Sequence, residues 1–191
     1  MPKATFERLP ERKKKDFLAT CLEEFSSSSY KAASVSNIVR TLGMAKGSIY
    51  QYFEDKADLY QHLISLSTDQ KYQIIEYVNR KTPDSLASWY LQICLAEIKF
   101  AEEFNPMYRL LRDEAHLNGP SLIQKDQDFI LRNLRRFTAE LPIQNNREEI
   151  AFFLNGVKVH LVNDLAGRLE EEETLPKLNR IIEFTLKGVT G

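Results

Sequence analysis

Between Thr41 and Lys56 the chain reads TLGMAKGSIYQYFEDK, which gathers two lysines, two glycines, a glutamine and three aromatic residues. These residue types suit a nucleic-acid backbone. Lysine ammonium groups and tyrosine hydroxyls can bond phosphate oxygens, and glutamine can pair with the N6 and N7 edge of adenine. A glycine leaves room where a duplex comes close. With Ile49 and Phe53 turned inward at i and i+4, Lys46, Gly47, Tyr50, Gln51 and Tyr52 fall mainly on the outer faces of a helix. Lys56 would reach a flanking phosphate. The plainer alternative is a tight corner in any helical bundle, with Tyr50 and Tyr52 serving as core.

The elements that must position these residues are helical. From Glu11 the apolar positions Phe17, Leu18, Cys21, Leu22 and Phe25 repeat at helical spacing, and SSSS at 26–29 breaks the run. Ser34, with Asn37 three residues on, offers an N-cap for a short helix carrying Val35, Ile38, Val39 and Leu42. Gly43 ends it, because a positive φ is cheap only for glycine. A third helix then begins at about Lys46. Two short helices joined by a glycine-containing three-residue turn form a helix-turn-helix, whose second helix lies in the DNA major groove.

Asp55 and Asp58 open a longer fourth helix through Leu59, Leu63, Leu66, Ile74 and Val78. RKTPDS at 80–85 is the clearest boundary, with Thr82 a cap and Pro83 in the first turn of the next helix. Leu86 to Phe104 is apolar around most of its circumference, so that helix is buried on several sides. Further helices are expected at about 106–117 and 121–141, divided by NGP at 118–120. One more, opened by Asn146 and Glu149, runs to about Ala166, and a last one begins around Pro176 and ends near Gly188. The expectation is an all-α protein of nine helices without a sheet. A DNA-binding domain would occupy residues 1–56, a connecting fourth helix 57–80, and a ligand-binding and dimerisation domain 81–191.

Charge distribution agrees with this division. The 191-residue chain is near neutral, with 26 Lys/Arg against 27 Asp/Glu, and 43% of it is hydrophobic, enough for a sizeable core. Residues 1–56 hold ten basic and seven acidic side chains, which leaves sixteen against twenty beyond them. Cys21 and Cys94 sit in apolar helical patterns as small buried hydrophobes, so no disulfide framework is expected. No run approaches the ~18 apolar residues of a membrane span, and no signal-type segment opens the chain. A cytoplasmic protein without membrane contact is expected.

The stretch SVSNIVRTLGMAKGSIYQYFEDKADLYQHL, Ser34 to Leu63, resembles the DNA-binding domain of the TetR (tetracycline repressor-like) family. The likeness lies in glycine, two residues, a lysine-glycine pair, two residues, tyrosine, and phenylalanine ahead of a lysine. At the level of motifs it covers roughly residues 10–65. The resemblance implies a dimer that reads double-stranded operator DNA as an inverted repeat, with a variable C-terminal domain holding an effector pocket and the dimer interface. Carried over by position, it implies phosphate contacts from Ser34 and Ser36, with Ala45, Lys46, Gly47, Tyr50, Gln51, Tyr52 and Lys56 around the recognition helix. The sequence departs from the pattern in four places that matter, one of them Met44, which replaces a smaller apolar residue. Ser29 stands where the family usually has glycine. Ala45 replaces a Ser/Thr cap, at a cost of about 1 kcal/mol unless another group caps the helix. Gln51 occupies a position often held by histidine, so the operator sequence does not transfer.

For the C-terminal part, Trp89, Phe100, Phe104, Met107, Tyr108, His116, Phe129 and Phe137 could line a pocket for an apolar or aromatic small-molecule effector. His116 or an arginine would be its polar anchor. Aromatics at this spacing serve equally as core. Phe152, Gly156, His160 and Asn163 recur at about i+4 along the eighth helix, and Leu178, Ile181, Ile182 and Leu186 form an apolar face on the ninth. Both stripes suit a two-fold homodimer interface or intramolecular packing. Glu170 to Glu173 reads as a solvated connection.

An enzyme is not expected. RDEAH at 112–116 puts carboxylates near a histidine, but His-Glu-x-x-His, paired cysteine ligands, a phosphate-cradling glycine loop and a nucleophile elbow are all missing from the sequence. His62, His116 and His160 lie in separate helices, so neither a metal nor another cofactor is expected. A helical adaptor that uses the corner to bind protein, or an unrecognised helical enzyme using the C-terminal pocket, are the alternatives. An adaptor would show no salt-dependent DNA affinity.

Overall fold

The computed structural model describes residues 2–45, 47–81, 85–118, 120–141 and 146–190, with backbone alone at 117, 118 and 120. Among the described residues there are ten α-helices and no strand. They are α1 (Ala4–Glu7), α2 (Glu11–Ser27), α3 (Val35–Thr41), α4 (Ser48–Tyr52), α5 (Lys56–Arg80), α6 (Leu86–Glu103), α7 (Asn105–Asn118), α8 (Pro120–Leu134), α9 (Arg147–Leu165) and α10 (Thr174–Thr190). The helix beyond the expected nine is α1. Its four residues, set between Pro2 and Pro10, are too few to establish a periodicity. The helix expected over 121–141 stops at Leu134, and the backbone tightens into a 3₁₀ turn, Arg135–Phe137. None of the described helices is long and apolar enough to cross a membrane.

The chain divides into two compact units, Met1–Gln70 with Asn105–Leu117, and Lys71–Phe104 with Asn118–Gly191. In the first, Phe17, Cys21 and Phe25 of α2, Ile38 and Val39 of α3, Ile49 of α4, Phe53, and Leu59 and Leu63 of α5 are buried. The ring of Phe17 stacks on Phe53 at 5.5–6 Å from its aromatic neighbours, with centroids 6.0 Å apart for that pair and 5.5 Å for Phe6. From α7, the Glu114 carboxylate accepts a 2.7 Å hydrogen bond from Tyr60 Oη.

In the second unit α6 packs on α9 and α10, and α8 packs on α9. The N-terminus of α6 is capped twice. Ser85 Oγ accepts from the Ser88 amide at 3.2 Å, and the Glu140 carboxylate accepts from the Leu86 amide at 3.0 and 3.1 Å. The 3₁₀ turn sets Phe137 against Trp89, centroids 5.6 Å apart, while the Trp89 indole N–H donates to Asn79 Oδ1 at 2.9 Å. Asn146 caps α9 as expected from its type, although its Oδ1 accepts from the amide of Glu148 rather than Glu149.

Candidate nucleic-acid interface

The turn between α3 and α4 follows from Gly43. Its φ of +63° puts it in the left-handed region, and the bonds around it form a Schellman pair. The Met44 amide donates to Val39 O at 2.8 Å and the Gly43 amide to Arg40 O at 3.2 Å. At the other end of α3, Ser34 Oγ accepts from the Asn37 amide at 3.4 Å. Glu24 supports this cap from α2 by accepting from the Ser34 amide at 2.7 Å.

Beyond the turn, α4 has two distinct faces. Ile49 and Phe53 are completely buried, as their i, i+4 spacing anticipates, while Ala45, Gly47, Tyr50 and Gln51 are exposed. Gly47 has φ −69° and ψ −16°, ordinary helical values, and a Cβ placed on it would meet nothing within 4 Å. Neither backbone conformation nor packing within the chain requires glycine there. Among the described residues no side-chain bond caps the start of α4, where the Ser48 amide donates to Ala45 O at 2.9 Å. The N-cap position of α4 is Gly47 rather than Ala45.

The remaining residues assigned to the interface lie as follows. Ser36 is exposed in the first turn of α3, while Ser34 is half-buried with its hydroxyl engaged in the cap. Tyr52 is half-buried against Phe17 and Phe6, with ring centroids 5.6 and 5.9 Å away. Lys56 turns its ammonium inward. It donates to Ala33 O at 2.6 Å and Lys31 O at 3.4 Å, and lies 4.8 Å from the centre of the Tyr30 ring. Lys46 lies outside the described residues, as do Thr82 and Pro83.

Two groups were missed from sequence. Lys3 and Thr5 bond the last carbonyls of α4, contacts across more than forty residues that no local pattern announces. In the second unit, four helices contribute to a buried charge cluster. Lys71 of α5 contacts Asp126 of α8 at 2.7 Å and Glu97 of α6 at 3.3 Å. Lys158 of α9 contacts Glu97 and, at 3.2 Å, Asp126. Tyr72 Oη donates to Asp126 Oδ1 at 2.8 Å. Burial alone would push the Lys158 ammonium down, but Asp126 and Glu97 outweigh it and hold it above its ordinary range. Burial would likewise raise the Asp126 carboxyl, which Lys158 and Lys71 instead hold well below its usual value. The available signal was Glu97 and Lys158 themselves, charged residues on otherwise apolar helix faces.

The residues proposed for a pocket fall in both units. Met107, Tyr108 and His116 belong to the first. Trp89, Phe100, Phe104, Phe129 and Phe137 belong to the second, where Phe100 stacks on Phe104 at 5.7 Å and Tyr72 meets Phe129 at 6.2 Å. Of the two stripes assigned to an interface, Phe152, Gly156, His160 and Asn163 are exposed on α9. Leu178, Ile182 and Leu186 are buried within the second unit, and Ile181 is half-buried. Phe184, not singled out from sequence, is 82% exposed.

A Schellman-linked helix pair whose second member buries one side and exposes Tyr50 and Gln51 has the geometry of a helix-turn-helix. Residues 17–63 match the family model described as bacterial regulatory proteins, tetR family. The chain is similar over its length to solved structures. A TetR family transcriptional regulator from Chloroflexus aurantiacus J-10-FL shares 25% identity and a TM-score of 0.77, covering 98% of this chain and 95% of that one. A TetR-like transcriptional regulator from Rhodococcus sp. RHA1 shares 18% identity with a TM-score of 0.75, covering 95% and 100%. The ketosteroid transcriptional regulator KstR2 of Mycobacterium tuberculosis shares 14% with a TM-score of 0.71, covering 96% and 97%. No curated protein sequence matches the chain. Residues 17–63 thus belong to the tetR family of bacterial regulatory proteins, and the chain as a whole is similar in fold to TetR-family transcriptional regulators.

Proposed function

We propose that the protein is a ligand-responsive repressor that binds an inverted-repeat operator as a homodimer and is released by a small-molecule effector. The observation that carries this reading is the outer face of α4, where Gly47, Tyr50 and Gln51 are exposed beside the buried anchors Ile49 and Phe53. Gln51 reads base edges, and Tyr50 with the exposed Ser36 bonds phosphates. Two such helices in a dimer would stand about one DNA turn, ~34 to 36 Å, apart.

Exposed apolar residues on the last two helices support the dimer. On α9, Phe152, Phe153 and Val159 are exposed, and on α10 Leu175 and Phe184 are exposed. Phe184 lies three residues from Ile181, on one face of α10. The effector is an apolar or aromatic small molecule taken up by the second unit, whose core is rich in aromatic rings. A neighbour in fold is described as a ketosteroid regulator. Helix α5 begins in the first unit and ends in the second, so an effector that shifts it alters the spacing of the two reading helices and lowers operator affinity.

Selection of bound duplexes from a random pool by the purified protein tests the reading. An inverted repeat should be enriched, its affinity should fall steeply with salt, and the complex should have the mass of a dimer on one duplex. Phe152→Glu with Phe184→Glu should yield a folded monomer with weakened operator binding. Negligible binding even at low salt, with and without candidate effectors, would favour a protein-binding adaptor.

A further inference from the structure

The last carbonyls of α4 have no partners in their own helix. A five-residue helix bonds internally only through its final amides, of which Phe53 N–H donates to Ile49 O at 2.9 Å. This leaves the carbonyls of Tyr50, Gln51 and Tyr52 as the orphans of its C-terminal end. All three are taken by one distant segment. Lys3 Nζ donates to Tyr50 O at 2.8 Å, Thr5 Oγ1 donates to Gln51 O, and the Lys3 amide donates to Tyr52 O at 2.8 Å. Phe6 fixes the segment from below. It is 3% exposed, and its ring lies 5.1 Å from Phe53, 5.5 Å from Phe17 and 5.9 Å from Tyr52. The Lys3 ammonium also sits at the negative end of the α4 dipole.

We propose that Lys3 and Thr5 are positioning residues for DNA reading, a clamp that holds the last turn of α4 so that Tyr50 and Gln51 present fixed side chains to the operator. The segment lies outside residues 17–63, the part matched by the family model. The proposal rests on α4 being the DNA-reading helix. Both side-chain bonds are exposed, so water replaces them at little cost to the fold when they are removed. The loss falls on order in the last turn, which must then be restored each time DNA binds.

The experiment compares the full-length parent, Lys3→Met/Thr5→Val, and the conservative Lys3→Arg/Thr5→Ser. Each is titrated against the operator selected by the parent and against a random duplex, at several salt concentrations. The parent's enrichment of an operator establishes the underlying reading separately, and failure to enrich any sequence overturns both. Given an operator, Lys3→Met/Thr5→Val should lose about tenfold in operator affinity, the size of one to two net hydrogen bonds, with an unchanged salt slope and little change on the random duplex. Lys3→Arg/Thr5→Ser should restore parental affinity. Thr5→Val alone, which removes one hydroxyl and leaves every charge in place, should give an intermediate loss at an unchanged thermal midpoint. The proposal is overturned if the double variant binds operator as the parent does. Equal losses on operator and random duplex, with a salt slope reduced by about one, also overturn it and make Lys3 a phosphate ligand.

Discussion

Gly47→Ala separates what the chain needs from what its DNA needs. At φ −69° and ψ −16° alanine fits without strain, and beyond its own helix and chain neighbours its Cβ would meet no atom of the described residues within 4 Å. Removing glycine's extra freedom in the unfolded state should therefore stabilise the protein by roughly 0.4 to 1 kcal/mol. Against DNA the sign reverses. If the sugar-phosphate backbone packs on the bare Cα, an added methyl overpacks the contact by about 1 to 3 kcal/mol. That corresponds to a loss of about fivefold to 150-fold in affinity per reading helix. Gly43→Ala provides the opposite control, because its φ of +63° strains any side chain and should cost about 1 to 2 kcal/mol of stability. Denaturant unfolding measures the first quantity, and fluorescence anisotropy with the selected operator measures the second. An alanine variant at 47 that is less stable, or that binds operator as tightly as the parent, would refute the reasoning.

Three further outcomes follow from the same geometry. Gln51→Ala should change the base preferred at one position in each half-site with little effect on random duplex, readable by repeating the selection with the variant. Lys158→Met leaves Glu97 and Asp126 sharing Lys71 alone and should cost about 3 to 5 kcal/mol in denaturant unfolding. Adding Glu97→Gln restores charge balance and should recover most of that loss, whereas an additive double variant would mean that the two groups do not act as a pair. His62 lies 5.5 and 6.0 Å from the rings of Phe53 and Phe6, and burial pushes its pKa below the ordinary 6.5 despite Glu7 and Asp58 nearby. The unfolded chain then binds the proton more readily, so stability of the first unit should fall as pH drops below about 6.5. His62→Phe should remove that dependence in thermal melts.

The legible parts of this protein were those encoded by neighbours in sequence. Gly43 announced its turn, Ser34 and Asn37 their cap, and Ile49 with Phe53 the inner side of α4, because each depends on residues within one or two helical turns. Asp55 and Asp58 behaved similarly, with the Asp58 amide donating to Asp55 Oδ1 at 2.8 Å. What escaped depends on tertiary approach. Lys56 looked like a phosphate ligand by position, yet the carbonyls of Lys31 and Ala33 and the ring of Tyr30 hold its ammonium. Leu178, Ile182 and Leu186 formed an apolar stripe that could face either a partner or the chain's own core. Spacing gives the face, and only packing assigns its occupant.

The two units should answer acid differently, and this follows from opposite ways of burying a titratable group. His62 is among aromatic rings, where burial dominates and disfavours its charged form. Lys158 and Asp126 are buried more deeply but are paired, so each keeps its charge. The Asp126 pKa is depressed below its ordinary 3.8, so its contribution is complete above that value and is lost as pH falls through the folded pKa. The Lys158 pKa is raised above 10.5, so its contribution is complete below that value and is lost as pH rises beyond it. Across the neutral range Lys158 and Asp126 both stay charged. Hydrogen exchange followed from neutral to mildly acidic pH should therefore show protection falling around α1, α4 and the start of α5 while α6 and α9 hold theirs. Equal loss in both sets would mean that Lys158 and Asp126 do not hold their charges as a pair.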